Sequence, residues 1–539
     1  MPLDQRAGLL KRLRPDRPDA ALPRAALPVV QLLLQEGPAA VVQQELARIP
    51  RDLARLLATP GITPVEVIHL HRRYGVVTAA DIAAAVTVSH VESTGDEELQ
   101  FRERLAAVLP ALRSVSPRIP LGHAWSIVES VQEVVANDPR LGPTPTPVGS
   151  VRRFEPTVGD IELVLRTDAP SEALDRVLHA IDAADVTHRG PRVATMLVRG
   201  EQVTLRAVPA VEHAAALVYF TGSAGHVQQL QARAAQRGLS LGPAGLTGPS
   251  ADHAPPPDEP ALYRELGLPF IPPELRHGLD EVELAARGEL GDLLEVRHVL
   301  GDLHTHTLWS DGRDSVEAVA WEARALGYSY VAITDHSPSA AAGRVLTLDR
   351  LARQSEDVQI ARERVPDITI LHGVEVDILP NGRLDLPDDV MERLDLVLAS
   401  LHESAGHGPE RLLERYLGAV RHPLVNIVTH PANRLVGRHE GYAIDFDALF
   451  AAAAETGTAV EVDGGPAHLD LDGHLARRAA AAGATITVDS DCHNMARLAR
   501  QMRLAVGTAR RGALEPRHVL NTRRVEDVRA FVARKRARR

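Results

Sequence analysis

Residues Gly301 to Gly312, GDLHTHTLWSDG, set His304 and His306 in an H-x-H arrangement with Asp302 and Asp311 close by. Side chains alternate along an extended chain, so the two imidazoles share a face and can grip one metal ion, with the carboxylates as hard oxygen donors. One such pair is weak evidence, but the downstream sequence repeats the theme. YVAITDH ends at His336, ITILHGVEV reaches Glu375, LDLVLASLH ends at His402, LVNIVTH ends at His430, and ATITVDSDCH ends in Asp491 and His493. Any one of these could be a core histidine or a capping acid. Six histidines and three acids, nearly all directly after a β-like run, fit that bland reading poorly. These donors exceed what one ion with open positions can use. A cluster of two or three divalent ions is expected, and the mixed nitrogen and oxygen set suits manganese, zinc or iron.

Strand-like runs that end in donors alternate here with helical stretches at 315–326, 349–364, 409–420, 446–456 and 472–482. With TAVEVDG (458–464) as a further strand, the count is seven. This alternation predicts a parallel barrel whose strand carboxyl ends converge on one mouth. Asp302, Glu403 and Asp489 adjoin candidate ligands and are candidates to orient imidazoles, a solvated or capping acid being the favoured alternative for each. Arg344 and Arg434 are candidates for holding substrate phosphates.

A chain of 539 residues is long for one core and implies three or four domains. Cys492 is the single cysteine, which excludes an internal disulfide framework and a cysteine zinc cage. The net charge of -11 argues against a broadly basic nucleic-acid surface, though not against a local basic groove. Lysine occurs only at Lys11 and Lys535, so no lysine between them is available for Schiff-base chemistry. No apolar run is long enough to span a bilayer and no leader-like start is evident, so a cytoplasmic protein with no membrane partner is expected.

Ahead of the metal series, apolar residues recur at helical spacing in 29–34, 39–46 and 53–57. Between two helices, TPGITPVEV makes a tight turn around Gly61, in the manner of a helix-hairpin-helix that holds a DNA phosphate on turn amides; a plain helix connection is the alternative. Residues 97–137 read as further helices. VGSVRRFEPTVGDIELVLR (148–166) then offers Gly149, Ser150 and Arg153 to cradle a triphosphate. It also places Asp160 and Glu162 at i and i+2 on a strand, suited to magnesium or manganese shared with nucleotide phosphates.

These last residues resemble the nucleotidyltransferase palm of family X DNA polymerases, whose usual form is GS-x-RR followed by GDID. Tyr219 to Ser223, YFTGS, resembles the family's thumb motif and implies nucleotide or DNA contacts at Tyr219, Gly222 and Ser223. EPALYRELGLPFIPPELR (259–276) is similar to the thumb's closing segment. Two departures matter: Glu162 stands for the second aspartate, and Thr204 in VTLRAV stands for the third. Threonine cannot supply the charge that activates a primer hydroxyl through a metal, so weak or absent nucleotide transfer is expected. Where relatives with lyase activity use a lysine, this chain has His71, Arg72 and Arg73, and arginine forms no imine.

The second half resembles a PHP domain (polymerase and histidinol phosphatase) and carries that family's ligand pattern at His304, His306, Asp311, His336, Glu375, His402, His430, Asp491 and His493. The chain is identified as a bacterial family X DNA polymerase with a C-terminal PHP domain. The expected fold is multidomain α/β: a helix-hairpin-helix module (1–95), fingers-like helices (96–140), a nucleotidyltransferase-like palm (141–215), a thumb (216–280), a linker (281–300) and a distorted (β/α)7 PHP barrel (301–539). The resemblance implies a DNA repair enzyme, monomeric and nucleoid-associated, whose barrel is a manganese-dependent 3′-5′ exonuclease and, as in some members, an abasic-site endonuclease or 3′-phosphodiesterase. Its partner would be DNA with 3′ ends, gaps or damage, and the basic tail 534–539 could touch it. Gap filling through Asp160 and Glu162, phosphomonoester hydrolysis of the histidinol phosphatase kind, and a silent DNA-binding scaffold are the alternatives.

Overall fold

The computed structural model describes residues 118–181, 186–248, 255–340 and 344–538, with Pro64–Tyr74 and a few positions around that helix. Most of the helical segments expected before residue 117, and Gly61 with them, lie outside the described residues. The chain divides into two compact units, one of residues 1–116 with 182–205 and the other of residues 117–181 with 206–539.

In the first unit, Pro64–Tyr74 opens on a capping box: the Thr63 amide donates to Glu66 Oε2 at 2.7 Å, and the Glu66 amide to Thr63 Oγ1 at 3.3 Å. His71 closes the turn that follows, its Nδ1 donating to Val76 O at 2.9 Å. Leu53, Leu56, Ile62, Val67, Leu70, Val76 and Ile82 form the small core around it.

The second unit is built on a seven-stranded parallel sheet whose strands pair in chain order: β1 (Gly301–Asp302), β2 (Tyr330–Ile333), β3 (Thr369–Asp377), β4 (Leu396–Ser400), β5 (Ile427–Val428), β6 (Ala459–Asp463) and β7 (Ile486–Asp489). Helices α1 (Val316–Ala325), α2 (Leu348–Arg364), α3 (Pro409–Arg421), α4 (Phe446–Thr456), α5 (Gly473–Ala481), α6 (Leu498–Arg511) and α7 (Val525–Arg536) accompany them. Five of these helices were legible from apolar spacing. Their starts are fixed by local chemistry: Ser315, Thr347, Asp445 and Asp472 accept an amide of the first turn, and Pro409 opens α3 without losing a bond.

The sheet curls until its ends meet. Thr305 bridges Cys492 in parallel register, and the His306 amide donates to Cys492 O at 3.0 Å. Outward strand residues such as Val374, Val376, Val397 and Val460 pack under the helices. The inward face changes along the barrel. At the amino end Leu371, Leu396, Leu398 and Ala459 meet Val528, Phe531 and Val532 of α7, which plugs the base. Toward the carboxyl end the same period-two face carries Glu375, Asp377, Glu461, Asp463 and Asp489, all buried. Two residues of the basic tail are tied into the fold. Lys535 is buried and donates to Val420 O at 2.6 Å, and Arg536 donates to Leu394 O at 2.7 Å.

The same unit holds palm-like and thumb-like elements. The strand Ile161–Arg166 pairs antiparallel with Thr146–Pro147, followed by helices Ala210–Thr221 and Ala224–Gln236. Helix α6 clasps them to the barrel: Arg510 pairs with Glu274 at 2.7 Å, Arg511 with Glu155 at 3.1 Å, and Arg500 with Glu129. Among the described residues, no helix is long and apolar enough to cross a membrane.

Candidate metal centre

The candidate ligands lie at or just beyond the carboxyl ends of the strands, where loops turn toward the flanking helices. The donor atoms fall into three overlapping groups, each within 4.8 Å: His306, Asp311, His336 and His493; His304, His306 and Asp491; and His336, Glu375 and His402. His430 joins through Glu375, its Nε2 lying 2.9 Å from Oε1. Glu375 is central, with Oε2 2.7 Å from His336 Nδ1 and 3.6 Å from His304 Nε2, and Oε1 3.6 Å from His402 Nε2. Asp491 Oδ1 lies 3.1 Å from His306 Nε2, and Asp311 Oδ1 lies 3.2 Å from His493 Nε2. Two of the candidate ligands, His430 (φ +26°) and Asp491 (φ +49°), hold left-handed backbone that costs a non-glycine residue energy, a strain that clusters at functional sites.

His336 Nδ1 and Glu375 Oε2 are buried, close together and without a hydrogen bond, and His306 Nδ1 and His430 Nδ1 are likewise buried without partners. Donor atoms crowded in this way repel one another unless protons or cations lie among them. The residues fit divalent ions on this ground and by their mixed nitrogen and oxygen chemistry.

Charge in the cluster is strongly redistributed. Burial disfavours protonation of His304 and His336, yet Glu461, Glu375 and Asp491 around the first, and Glu375 and Asp311 around the second, hold both well above the ordinary histidine range. Against the same burial, Glu375 lifts His430 to about 10, and Asp491 with Asp311 lifts His493 to about 9. His306 is pushed down to about 3 by burial and then by its neighbours His493 and His336. Glu375 and Asp491, buried as they are, are held well below the carboxylate range by the surrounding histidines.

The acids that orient the imidazoles are not those expected from adjacency in sequence. Glu461 Oε1 lies 2.7 Å from His304 Nδ1, and its other oxygen accepts the His430 amide at 2.9 Å. Asp377 Oδ1 lies 3.0 Å from His402 Nδ1. Both sit on inward strand positions, two residues from Asp463 and Glu375, so strand periodicity could have found them. Asp335 holds the loop that carries His306 and Asp311, accepting the Thr307 and Ser310 amides at 2.8 and 3.0 Å and Gln354 Nε2 at 2.6 Å.

Asp302 and Asp489 instead close the barrel. The Leu303 amide donates to Asp489 Oδ1 at 2.8 Å, and the His304 and Ser490 amides donate to Asp302 Oδ1 at 3.1 and 3.3 Å. Burial raises Asp302 to about 6. Glu403 is exposed, and its carbonyl accepts Arg415 Nη1 at 2.8 Å. Arg434 is committed to His468 O at 2.9 Å, to Leu469 O and to Asp472, which leaves exposed Arg344 as the freer of the two arginines.

In the palm-like part, Gly149 (φ +64°) opens a short helix beside Phe220, and Gly222 (φ +66°) lies against Arg153, so this group is brought together. Arg153 is nonetheless engaged with Thr221 O and Glu155. Ser150 is buried, Tyr219 is partly buried, and Ser223 caps the next helix by accepting the His226 amide at 3.3 Å. Asp160 precedes the strand and Glu162 lies within it, buried, where Arg206 Nε donates to Oε1 at 2.8 Å. In the other unit Thr204 is buried, its hydroxyl 3.4 Å from that of Thr195.

A parallel seven-stranded barrel with such donors at its mouth defines a PHP-type, metal-dependent phosphoesterase domain. The PHP domain family matches residues 302–463, and the DNA polymerase beta thumb family matches residues 216–277. The chain is 32% identical over 510 residues, 94% of its length and 89% of the relative's, to the DNA polymerase/3'-5' exonuclease PolX of Bacillus subtilis (strain 168). A probable phosphatase of Thermoanaerobacter sp. (strain X514) is 30% identical over 203 residues, 36% of this chain and 78% of the relative. One of Syntrophotalea carbinolica is 32% identical over 166 residues, 30% of this chain and 64% of the relative. The chain belongs to the bacterial family X DNA polymerases that carry a PHP domain.

Proposed function

We propose that the barrel hydrolyses phosphodiester bonds of DNA from the 3′ end, and that the palm-like part no longer transfers nucleotides. The carrying observation is the set of three overlapping donor groups joined through Glu375, set against a palm in which Glu162 is paired with Arg206 and Thr204 replaces a carboxylate. Manganese is the metal we favour, in two or three sites held by His304, His306, Asp311, His336, Glu375, His402, His430, Asp491 and His493. Bound ions there would activate water and neutralise charge on the phosphate. Glu461 and Asp377 fix which nitrogen of His304 and of His402 faces the cluster, and Asp335 fixes the loop bearing two further donors. The name of the Bacillus subtilis relative supports the exonuclease reading.

The test is a labelled primer-template with manganese, with and without nucleotides, for wild type and His304→Ala. Shortening that depends on His304 supports the proposal; extension by both proteins sinks it. A second reading, phosphomonoester hydrolysis, is favoured by the probable phosphatases that match a third of the chain. Turnover of histidinol phosphate exceeding that of recessed DNA ends would decide for it.

A further inference from the structure

His468 belongs to none of the three donor groups, yet it lies partly buried at the mouth in the loop after β6, its ring 5.9 Å from that of His430 and inclined at 29°. Its Nδ1 is 3.0 Å from Arg434 O. A carbonyl only accepts, so Nδ1 carries the hydrogen. In the neutral ring Nε2 is then a bare lone pair.

The ring is held by two loops stapled to each other. Arg434 Nε donates to His468 O at 2.9 Å and its guanidinium reaches Leu469 O, while the Val436 amide donates to Ala467 O at 2.8 Å. Asp470 accepts the amides of Ala432 and Arg434 at 3.2 and 3.3 Å. Asn433 and Leu469 both hold φ +46°, strain that these bonds sustain. None of this uses Nε2, which has no protein partner among the described residues.

A lone pair at this mouth can accept from a donor on the substrate. Phosphodiester oxygens are acceptors. The sugar hydroxyl is the donor that every unblocked 3′ end presents, whatever its base. We propose that His468 Nε2 accepts a hydrogen bond from the 3′-hydroxyl of the terminal nucleotide, which makes His468 the residue that recognises a free 3′ end. This rests on the exonuclease reading above.

The experiment measures removal of the terminal nucleotide at about pH 8 with manganese from one primer ending in a 3′-hydroxyl and the same primer ending in a dideoxynucleotide. It uses wild type, His468→Asn and His468→Gln. The asparagine amide can keep the bond to Arg434 O and leaves nothing at the Nε2 position, whereas the glutamine oxygen can stand near that position. Wild type should favour the hydroxyl end about tenfold, the value of one hydrogen bond. His468→Asn should bring the ratio toward one, and His468→Gln should recover part of it. A wild type indifferent to the 3′ substituent, or a His468→Asn protein slowed in the same proportion on both ends, overturns the inference while leaving the exonuclease standing. A wild type that shortens neither end removes both. Should one variant fail to fold, the other still tests His468, and an indifferent wild type overturns the inference without either.

Discussion

The barrel mouth and the palm each gather acids where a metal could sit, and they treat those acids in opposite ways. In the barrel, Glu375 is ringed by imidazoles: His430 Nε2 reaches its Oε1 at 2.9 Å, while its Oε2 and His336 Nδ1 are buried 2.7 Å apart without a hydrogen bond. In the palm, Glu162 is equally buried but carries Arg206 across it, and the guanidinium also lies 4.0 Å from the Phe220 ring. An arginine stays charged and offers no lone pair, so a carboxylate paired with it serves the fold. A metal centre requires partners that can give up a proton to an incoming ion, as imidazoles can and arginine cannot.

That contrast can be broken most sharply at Glu375. Glu375→Gln should lower DNA shortening about a thousandfold, as expected for a central electrostatic group, and elemental analysis should show fewer ions per chain. Full metal content with near-normal activity would mean the acid is structural. At the palm the effect should fall on stability instead. Arg206→Met strands a buried carboxylate and should cost about 3 kcal/mol in denaturant unfolding, with shortening by the folded fraction unchanged. Restored nucleotide transfer on Arg206→Met, Thr204→Asp would show that the palm lacks only these two features.

Glu461→Gln and Asp377→Asn should each weaken metal affinity about 10- to 100-fold in a titration, because they set the orientation of His304 and His402. Metal affinity should also depend on pH in a set direction. His430 and His493, raised to about 10 and 9, carry protons in the metal-free protein at neutral pH. Ions must displace these protons, so apparent affinity should climb as pH rises through 7 to 9 and flatten toward 10; His306, near 3, contributes nothing to the slope. Calorimetry in buffers of different ionisation enthalpy would measure the protons released, and a value of zero at neutral pH would contradict the charge assignment. The smallest effect should come from Asp160→Ala, with shortening within about twofold of wild type because distant sites act independently.

The parallel barrel was legible because each strand run is short, β-branched and followed by a helix signal. The donors were legible because they fall where those runs end. Helices α6 and α7 were not anticipated, since α6 is placed by the pairing of Arg500 with Glu129 and of Arg511 with Glu155, and α7 by its packing at the barrel base. His468 gave no signal at all. It lies in an irregular loop, and its setting depends on the carbonyl of Arg434, 34 residues away.

The sequence by itself determined the kind of donors, their order and their place at strand ends, because side-chain alternation and strand termination are local. It also placed Thr204 where the resemblance to the family X palm leads one to expect a carboxylate. Only the tertiary structure decided which acids gather among the imidazoles and which close the barrel. Asp302 and Asp489, next to the ligands in sequence, are spent on closing β1 against β7 across a separation of 186 residues, while Glu461 reaches His304 from 157 residues away. Register across a closed barrel sets those partners, and register is a property of the packed chain rather than of any window within it.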